Sequence, residues 1–324
     1  MRRILCPPPA HCSAPGALTT LHIALAWCML AAAPTALPAQ SHDTLAVGTY
    51  AYGTVDRRAA VSPLAEYLGN ALQRPVRVVV APDPVALADS VQRERVDVVV
   101  TNTFGYLLLA DAVPQRAVAV SVFHVPPGVR THYSAVLATT DDGLRDLAAL
   151  KAKAHTTAVA FVSPGSTTGN LVPRLALAAR GVGDLDAQVR RVTYAGTHAA
   201  AFDLLRTGAV QVAGLATEEY ERQLARLTHS ERTRFRVLWE SPDIRLGPVA
   251  VRASLPATVR ERVRTALVGL EQRDPPAFAA LRAGWTEARL ADGLVAATDS
   301  SYAEVRQLFG QGETLAALIA RFSR

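Results

Sequence analysis

A short polar loop, Ser163-Pro-Gly-Ser-Thr-Thr-Gly-Asn170, joins an apolar run to a stretch whose leucines are spaced as on one face of a helix. The apolar run, residues 158–162, is typical of a buried strand. The sequence therefore predicts a strand-to-helix turn, with Ser166, Thr167 and Thr168 at the start of the helix. A chain with such a turn is expected to build a layered sheet-and-helix fold.

This loop has two possible uses, and the residues alone leave both open. A helix start presents unpaired backbone N–H groups and the positive end of the macrodipole, and small residues let an anion approach closely. Ser166 can equally serve as a plain helix cap. No Lys follows the second Gly of the loop, so a nucleotide-binding P-loop is excluded.

The composition excludes several classes of function. Half of the 324 residues are hydrophobic, enough for one large or two medium domains, and the formal charge is only +6. No cluster of Lys and Arg with interleaved aromatic residues occurs, so a nucleic-acid partner is not expected. Lys occurs only at positions 151 and 153, which we interpret as genomic composition.

The N-terminal 39 residues have the pattern of a secretory signal peptide. Arg2 and Arg3 precede an apolar run at 17–33, and small residues before Gln40 offer a cleavage site. All three cysteines lie within this segment, so the mature chain would contain no thiol, as suits an oxidising compartment. We expect a periplasmic protein. An uncleaved anchor is less favoured because the apolar run is near the short limit for spanning a membrane, and a lipoprotein anchored at Cys28 is less favoured because Trp27 is too large for the residue before a lipidated Cys.

After the signal peptide, predicted strands and helices alternate along the chain. Strands are predicted at 45–49, 76–80, 96–100, 118–123, 133–138, 158–162, 189–193, 210–215, 236–239 and 249–252. Helices are predicted at 59–72, 84–93, 106–112, 144–150, 171–179 and 199–207, with a mostly helical tail from Pro256. This alternation favours parallel sheets covered by helices.

Several blocks, in order, resemble the phosphate/phosphite/phosphonate-binding proteins of ABC transporters, which have the type 2 periplasmic-binding fold. The loop and its continuation to Pro173 resemble the signature Asp-Pro-x-Ser-Thr-Ser-Gly-x-Leu-Val-Pro, and Gly196-Thr-His198 resembles a Gly-x-His turn. The run Val96–Val100 leading to Phe104-Gly-Tyr106 resembles the family's first ligand loop. The resemblance spans residues 44 to 310, and its blocks are more specific together than singly.

The resemblance implies an α/β fold of two lobes, each a mostly parallel sheet flanked by helices, with the ligand cleft between them. It implies that lobe one comprises residues 44–138 and 246–324, that lobe two comprises residues 139–245, and that two crossing segments form the hinge. It implies that the ligand-binding residues are Tyr50, Thr103 and Tyr106 from lobe one, and Ser166, Thr167, Thr168, His198 and Glu218 from lobe two. The implied protein is no enzyme: it captures a phosphorus oxyanion, needs no cofactor or metal, and delivers its ligand as a monomer to a transporter permease.

Two other functions compete with transport. The same fold can serve as a sensory module that reports ligand binding to a signalling protein. A hydrolase could be drawn from Ser166, His198 and Asp203, but Gly165-Ser-Thr-Thr-Gly169 is not the nucleophile motif Gly-x-Ser-x-Gly. The histidines show no zinc-ligand spacing.

The far end of the ligand is the least determined part of the prediction. Relatives that bind aminoalkylphosphonates are expected to face the ammonium group with two carboxylates. Glu218 matches the first of these positions, whereas Gly247 stands at the second. A desolvated ammonium needs paired acceptors, so the sequence predicts a ligand without an amine, such as phosphate, phosphite or a simple alkylphosphonate.

Overall fold

The computed structural model describes residues 44–126, 133–307 and residue 317. The predicted signal peptide, its three cysteines and the last part of lobe one lie outside these residues. Within them, no helix is both long enough and apolar enough to cross a membrane.

Eleven strands of the described chain form two sheets. The first sheet has six strands in the order β11-β4-β10-β3-β1-β2, and the second has five in the order β7-β6-β8-β5-β9. The strands are β1 Leu45–Tyr50, β2 Val76–Ala81, β3 Val98–Val100, β4 Ala117–His124, β5 Ala135–Thr139, β6 Ala158–Phe161, β7 Arg191–Tyr194, β8 Val212–Ala216, β9 Arg236–Glu240, β10 Val249–Arg252 and β11 Gly293–Ala296.

The α-helices of the same residues cover these sheets. They are α1 Arg57–Leu72, α2 Pro84–Gln92, α3 Thr103–Ala110, α4 Leu147–Ala152, α5 Val172–Ala178, α6 Leu185–Gln188, α7 His198–Arg206, α8 Thr217–Ala225, α9 His229–Arg232, α10 Ala257–Leu267, α11 Leu270–Arg273, α12 Pro275–Ala283 and α13 Ala303–Gln307. Short 3-10 turns occur at Ala154–Thr156, Thr286–Ala288 and Asp299–Tyr302, and a π-helical turn at Thr167–Leu171 precedes α5.

Both sheets are mixed, which corrects the expectation of mostly parallel pairing. The βαβ alternation does produce parallel pairs, with β2 and β3 on either side of β1, and β7 and β8 on either side of β6. However, β10 pairs antiparallel with both β3 and β4, and β5 pairs antiparallel with both β8 and β9. The strands β5 and β10 are each the first strand after the chain has crossed from the other sheet, and each is antiparallel to both of its neighbours.

Apolar side chains on both faces of each sheet are buried against helices. In the first sheet, valines of the central strands alternate between a core under α1, α10 and α12 and a core under α2 and α3. In the second sheet, one core lies under α7 and α8, and the other lies under α4, α5 and α6. Burial on both faces explains the almost continuously apolar strands in the sequence.

The positions at which the chain changes from one sheet to the other can be compared with the predicted lobe boundaries. The division into two lobes with these bounds stays a prediction. The chain first changes sheet between β4 and β5, so the strand that contains Ala138 lies in the second sheet. It returns between β9 and β10, on either side of the predicted crossing at Leu246. We therefore use lobe one for the first sheet with its helices and lobe two for the second.

Four elements are absent from the sequence-based prediction: the four-residue helices α6 and α9, the helix α8 and the strand β11. The helix α8 is mostly polar, and of its three buried residues, Thr217, Glu219 and Tyr220, only the tyrosine is apolar, so few apolar residues mark it in the sequence. The strand β11 has four residues and lies at the edge of the first sheet, with Val295 exposed. An edge strand this short carries no recognisable period-2 pattern.

Candidate functional site

A cavity of about 120 Å³ lies between the two lobes. Its wall follows the carboxyl ends of parallel strands: Tyr50 ends β1, Ser163 follows β6, and Gly196 follows β7. Ligands of open α/β sheets bind at this edge, because loops and helix starts from neighbouring strands converge there. The volume suits a ligand of a few non-hydrogen atoms.

The polar loop of residues 163–170 forms one wall of the cavity. Ser166, Thr167 and Thr168 all line it, and all three residues are buried. The Ser166 Oγ accepts a hydrogen bond of 3.1 Å from the Gly169 backbone N–H, so the capping role is real. Since a hydroxyl also carries one donor, capping does not prevent Ser166 from donating to an anion.

The turn Thr167–Leu171 is π-helical and continues into α5. A Cβ atom at Gly169 would lie 2.2 Å from Val162 Cγ2, so only glycine fits the close approach of this turn to β6. Turns of this type are rare and concentrate at functional sites. The turn therefore holds the three hydroxyl residues close against the end of a buried strand.

Hydrogen bonds and an ion pair of neighbouring side chains hold the loop of residues 163–170 in its shape. The Asn170 Nδ2 donates to the Pro164 carbonyl at 2.9 Å, and the Asn170 Oδ1 accepts from Arg174 Nε at 2.8 Å. Arg174 is fully buried and forms an ion pair with Asp186 at 2.6 Å. This network makes the loop rigid before any ligand arrives, which lowers the entropic cost of binding.

Hydrogen bonds across the cleft connect the loop to lobe one. The Phe104 backbone N–H donates to Thr167 Oγ1 at 3.1 Å, and Asn102 Nδ2 donates to the Gly165 carbonyl at 2.9 Å. Asn102 also caps α3 by accepting from the Gly105 N–H. The described conformation is thus one in which the lobes are in contact around the cavity.

His198 begins α7 and lines the cavity from lobe two. Its Nδ1 accepts a hydrogen bond of 3.1 Å from the Ala216 backbone N–H, so the neutral ring carries its proton on Nε2. Burial, together with the nearby Arg222 charge, lowers the pKa of His198 to about 4. His198 is therefore a neutral hydrogen-bond donor at physiological pH.

The lowered pKa of His198 predicts a specific dependence of stability on pH. The unfolded chain binds this proton below about pH 6.5, whereas the folded chain binds it only near pH 4. The His198 contribution to stability is therefore complete above pH 6.5 and is lost as the pH falls towards 4. Denaturant unfolding should show the wild type losing up to about 3 kcal/mol more over this range than His198→Gln.

The exposed His155 provides the control for this measurement. The variant His155→Gln should follow the wild-type pH profile. Equal pH profiles for His198→Gln and the wild type would show that the ring is protonated as readily in the folded chain as in the unfolded one.

Aromatic residues line the opposite side of the cavity. Tyr133, at the start of the crossing into lobe two, is close enough for its hydroxyl to interact with those of Thr167 and Thr168. The Tyr52 hydroxyl accepts from the His198 backbone N–H at 3.4 Å. Burial raises the pKa of Tyr50, Tyr52 and Tyr133, so all three remain neutral donors.

Carboxylates of both lobes face the same cavity. Glu218 comes from the start of α8, and burial raises its pKa. Its Oε1 is buried and lies 3.6 Å from Arg289 Nη2, too far for a hydrogen bond. Glu287 of lobe one also lines the cavity and raises the pKa of Glu218 by charge repulsion.

The presence of Glu287 removes the reason for predicting an amine-free ligand. That prediction depended on Gly247 leaving Glu218 as the one carboxylate at the ligand's far end. The cavity has further carboxylates, and Glu287 among them comes from a turn that precedes β11, a part of the chain that no motif connects to the cavity. The preference between amine-free and amine-bearing ligands is therefore a question for direct titration.

Six of the eight predicted ligand-binding residues line the cavity, and two lie elsewhere. The Tyr106 hydroxyl donates to Asp299 Oδ1 at 2.8 Å, and its ring packs on Tyr302. The Thr103 hydroxyl donates to the Arg245 carbonyl at 2.6 Å. Because α3 starts at Thr103, both side chains point into lobe one. The six lining residues are Tyr50, Ser166, Thr167, Thr168, His198 and Glu218.

Sequence reasoning missed several residues that line the cavity. Tyr52 and Arg57 flank the turn between β1 and α1, and their position after a parallel strand was a usable signal. Tyr133 was assigned only to a strand. Glu287 is separated from every motif by many residues, so the sequence offered no signal for it.

A family model described as "ABC transporter, phosphonate, periplasmic substrate-binding protein" matches residues 50–313. Among solved structures, a binding-protein component of an ABC phosphonate transporter from Pseudomonas aeruginosa is similar, with 19% identity and a TM-score of 0.63 over 86% of this chain and 94% of that one. A protein from Xanthomonas citri bound to chloride ion matches with 18% identity and a TM-score of 0.65 over 87% and 98%.

A third similar structure is PhnD1 from Prochlorococcus marinus in complex with methylphosphonate. It has 15% identity and a TM-score of 0.60, over 82% of this chain and 97% of that one. At such identities these likenesses establish the shared fold, and they confirm the predicted two-lobed α/β architecture.

Proposed function

We propose that this chain, which belongs to the family of periplasmic substrate-binding proteins of ABC phosphonate transporters, captures a small phosphorus oxyanion and delivers it to an importer. The ligand would be phosphate, phosphite or an alkylphosphonate. The PhnD1 structure similar to this chain contains methylphosphonate, a ligand of this class.

The observation that carries the proposal is the cluster of donors at one end of the cavity. Ser166, Thr167 and Thr168 lie at the start of a helical stretch, opposite Tyr133 and beside the neutral His198. Backbone N–H groups at a helix start and neutral hydroxyls suit an oxyanion, which accepts several hydrogen bonds at once. Hydrogen bonds to a charged acceptor contribute about 1.5–3 kcal/mol each.

We propose that the protein binds its ligand without converting it. The contacts of Ser166, His198 and Asp203, the residues of the alternative hydrolase triad, support this. Asp203 pairs with Arg206, and His198 Nδ1 accepts from the Ala216 N–H rather than holding a carboxylate. The Ser166 Oγ caps Gly169. A Ser-His-Asp triad needs its three groups joined in series, and these contacts direct them to other partners.

The family match also supports a proposal for the location and the partners of the chain. We propose that the mature chain is a periplasmic monomer that delivers its ligand to a membrane-embedded permease, without a cofactor or metal. Closure of two lobes around a ligand is a common signal of occupancy in proteins that bind between two lobes. A monomer suffices, because the cavity is built by one chain.

Export of the chain has a direct test. N-terminal sequencing of the protein from the cell envelope should give a start near Gln40, because the segment before it has the charge and apolar pattern of a signal peptide. Uncleaved full-length protein in the cytosol would contradict the proposed location.

The proposed function is tested by the small molecule that accompanies the protein. Mass spectrometry after denaturation of protein purified from the envelope should recover a phosphorus oxyanion. The same molecule, incubated with refolded protein, should be recovered unchanged. Conversion of the molecule into a product would show that the protein is an enzyme and would contradict the proposed function.

A further inference from the structure

Arg57 is a buried cation in the wall of the cavity. It is the first residue of α1, it is only 3% exposed, and it lines the cavity from lobe one. Its Nε and Nη1 atoms have no hydrogen-bond partner among the described residues. In the same part of the chain, no carboxylate lies within 4 Å of its guanidinium.

The groups that surround Arg57 supply one hydrogen bond, to the Tyr50 hydroxyl, and no counter-charge. Its Cζ lies 3.9 Å from the centre of the Trp285 ring and 4.8 Å from that of Tyr50, so the guanidinium is packed between aromatic faces. Asp56, next to it, accepts from the Ala59 N–H as the helix cap. The start of α1 adds the positive end of a helix macrodipole to the same region.

The aromatic rings around Arg57 offset only part of the free energy that its burial costs. Cation–π contacts recover a fraction of the free energy lost when a guanidinium leaves water, and a buried charge normally has an ionic or hydrogen-bonded partner. Glu287 lines the same cavity but forms no ion pair with Arg57. An anion between the lobes would supply the counter-charge and the acceptors for Nε and Nη1 that the surrounding residues do not.

We propose that Arg57 is the counter-charge of the bound oxyanion, acting from lobe one while the Ser166–Thr168 loop binds the same ligand from lobe two. This inference depends on the proposed function and adds a binding residue to it. It also predicts that neutral ligands bind weakly in the cavity. Bringing the lobes together around a neutral ligand leaves the Arg57 charge buried without a counter-ion.

The test separates the charge of Arg57 from its shape. Arg57→Lys and Arg57→Gln both lose the flat guanidinium stacked on Trp285, but only lysine keeps the positive charge. Calorimetric titration of refolded protein with phosphite and with methylphosphonate should show the glutamine variant binding at least about thirtyfold more weakly than the wild type. Lysine should bind at least about tenfold more tightly than glutamine. Equal affinities for lysine and glutamine would overturn the inference.

Thermal unfolding provides a second readout. If Arg57 had a purely structural role, its replacement would lower the unfolding temperature of the ligand-free protein. Without ligand, Arg57→Gln should unfold at a temperature no lower than the wild type, because it removes an uncompensated buried charge. The ligand-induced rise in unfolding temperature should shrink in that variant. A lower unfolding temperature without ligand, combined with an unchanged ligand-induced rise, would make Arg57 structural and overturn the inference.

The exposed neighbour Arg58 is the matched control, and Arg58→Gln should bind both probes within about twofold of the wild type. The two proposals fail in different ways. If the refolded wild type binds neither probe, nor phosphate, the proposed function fails and the inference falls with it. If the wild type binds but the lysine and glutamine variants are alike, the inference alone fails.

Discussion

Replacing Thr167 with valine should weaken oxyanion binding by roughly a hundred- to a thousandfold. The change removes a hydroxyl at nearly constant shape, and that hydroxyl has two functions. It can donate to the ligand, and it accepts the Phe104 backbone N–H of lobe one at 3.1 Å. Valine therefore loses a hydrogen bond to a charged acceptor and leaves a buried N–H unpaired when the lobes meet. Calorimetry with phosphite or methylphosphonate measures the loss.

The neighbouring Thr168 supplies the control for Thr167. Thr168 also lines the cavity, but its hydroxyl accepts no backbone N–H from lobe one among the described contacts. Thr168→Val should therefore cost only about ten- to thirtyfold in affinity. Equal losses for the two variants would show that the contact with Phe104 contributes nothing to binding, and unchanged affinity in both would reduce the loop to a helix cap.

Replacing Gly247 with alanine should destabilise the protein by about 3 kcal/mol or more. A Cβ atom at this position would lie 2.1 Å from the Thr101 carbonyl oxygen and 2.5 Å from the Asn102 Cα. These are backbone atoms at the end of β3, and they cannot move aside as a flexible side chain would. Asn102 also donates to Gly165 across the cleft, so affinity should fall together with stability.

The measurement for Gly247→Ala is thermal or denaturant unfolding without ligand, with Gly183→Ala as the control. A Cβ at Gly183 would meet nothing within 4 Å, so that variant should stay within about 0.5 kcal/mol of the wild type. Wild-type stability for Gly247→Ala would contradict a destabilising contact between this position and the Thr101–Asn102 backbone. The close approach also explains why an acidic side chain has no room at this position.

Much of the fold could be predicted because its signals are local. The strands at 45–50 and 76–81 and the helix between them follow directly from apolar periodicity, and the predicted bounds differ by one or two residues. The antiparallel strands β5 and β10 were placed correctly along the chain, but not in direction. Their direction depends on which sheet the chain enters next, a long-range property that periodicity does not contain.

The candidate site divides in the same way. The Ser166–Thr168 loop and His198 were predictable because a strand-to-helix turn and a Gly-x-His turn are compact sequence patterns. Tyr106 does not line the cavity, because α3 begins at Thr103 and turns its side chain into lobe one, which its position near a strand end did not reveal. Glu287 reaches the cavity only through the packing of the C-terminal part on lobe one, and no local pattern predicts such a contact.

The most direct test of the account is calorimetric titration of wild-type protein that has been unfolded, freed of small molecules and refolded. Phosphate, phosphite, methylphosphonate and 2-aminoethylphosphonate are compared at one pH and one salt concentration, with sulfate as the competing tetrahedral anion. The account predicts that at least one phosphorus oxyanion binds with one site per chain and a dissociation constant of about 1 μM or lower. No binding of any of the four, or tighter binding of sulfate than of all of them, would contradict it.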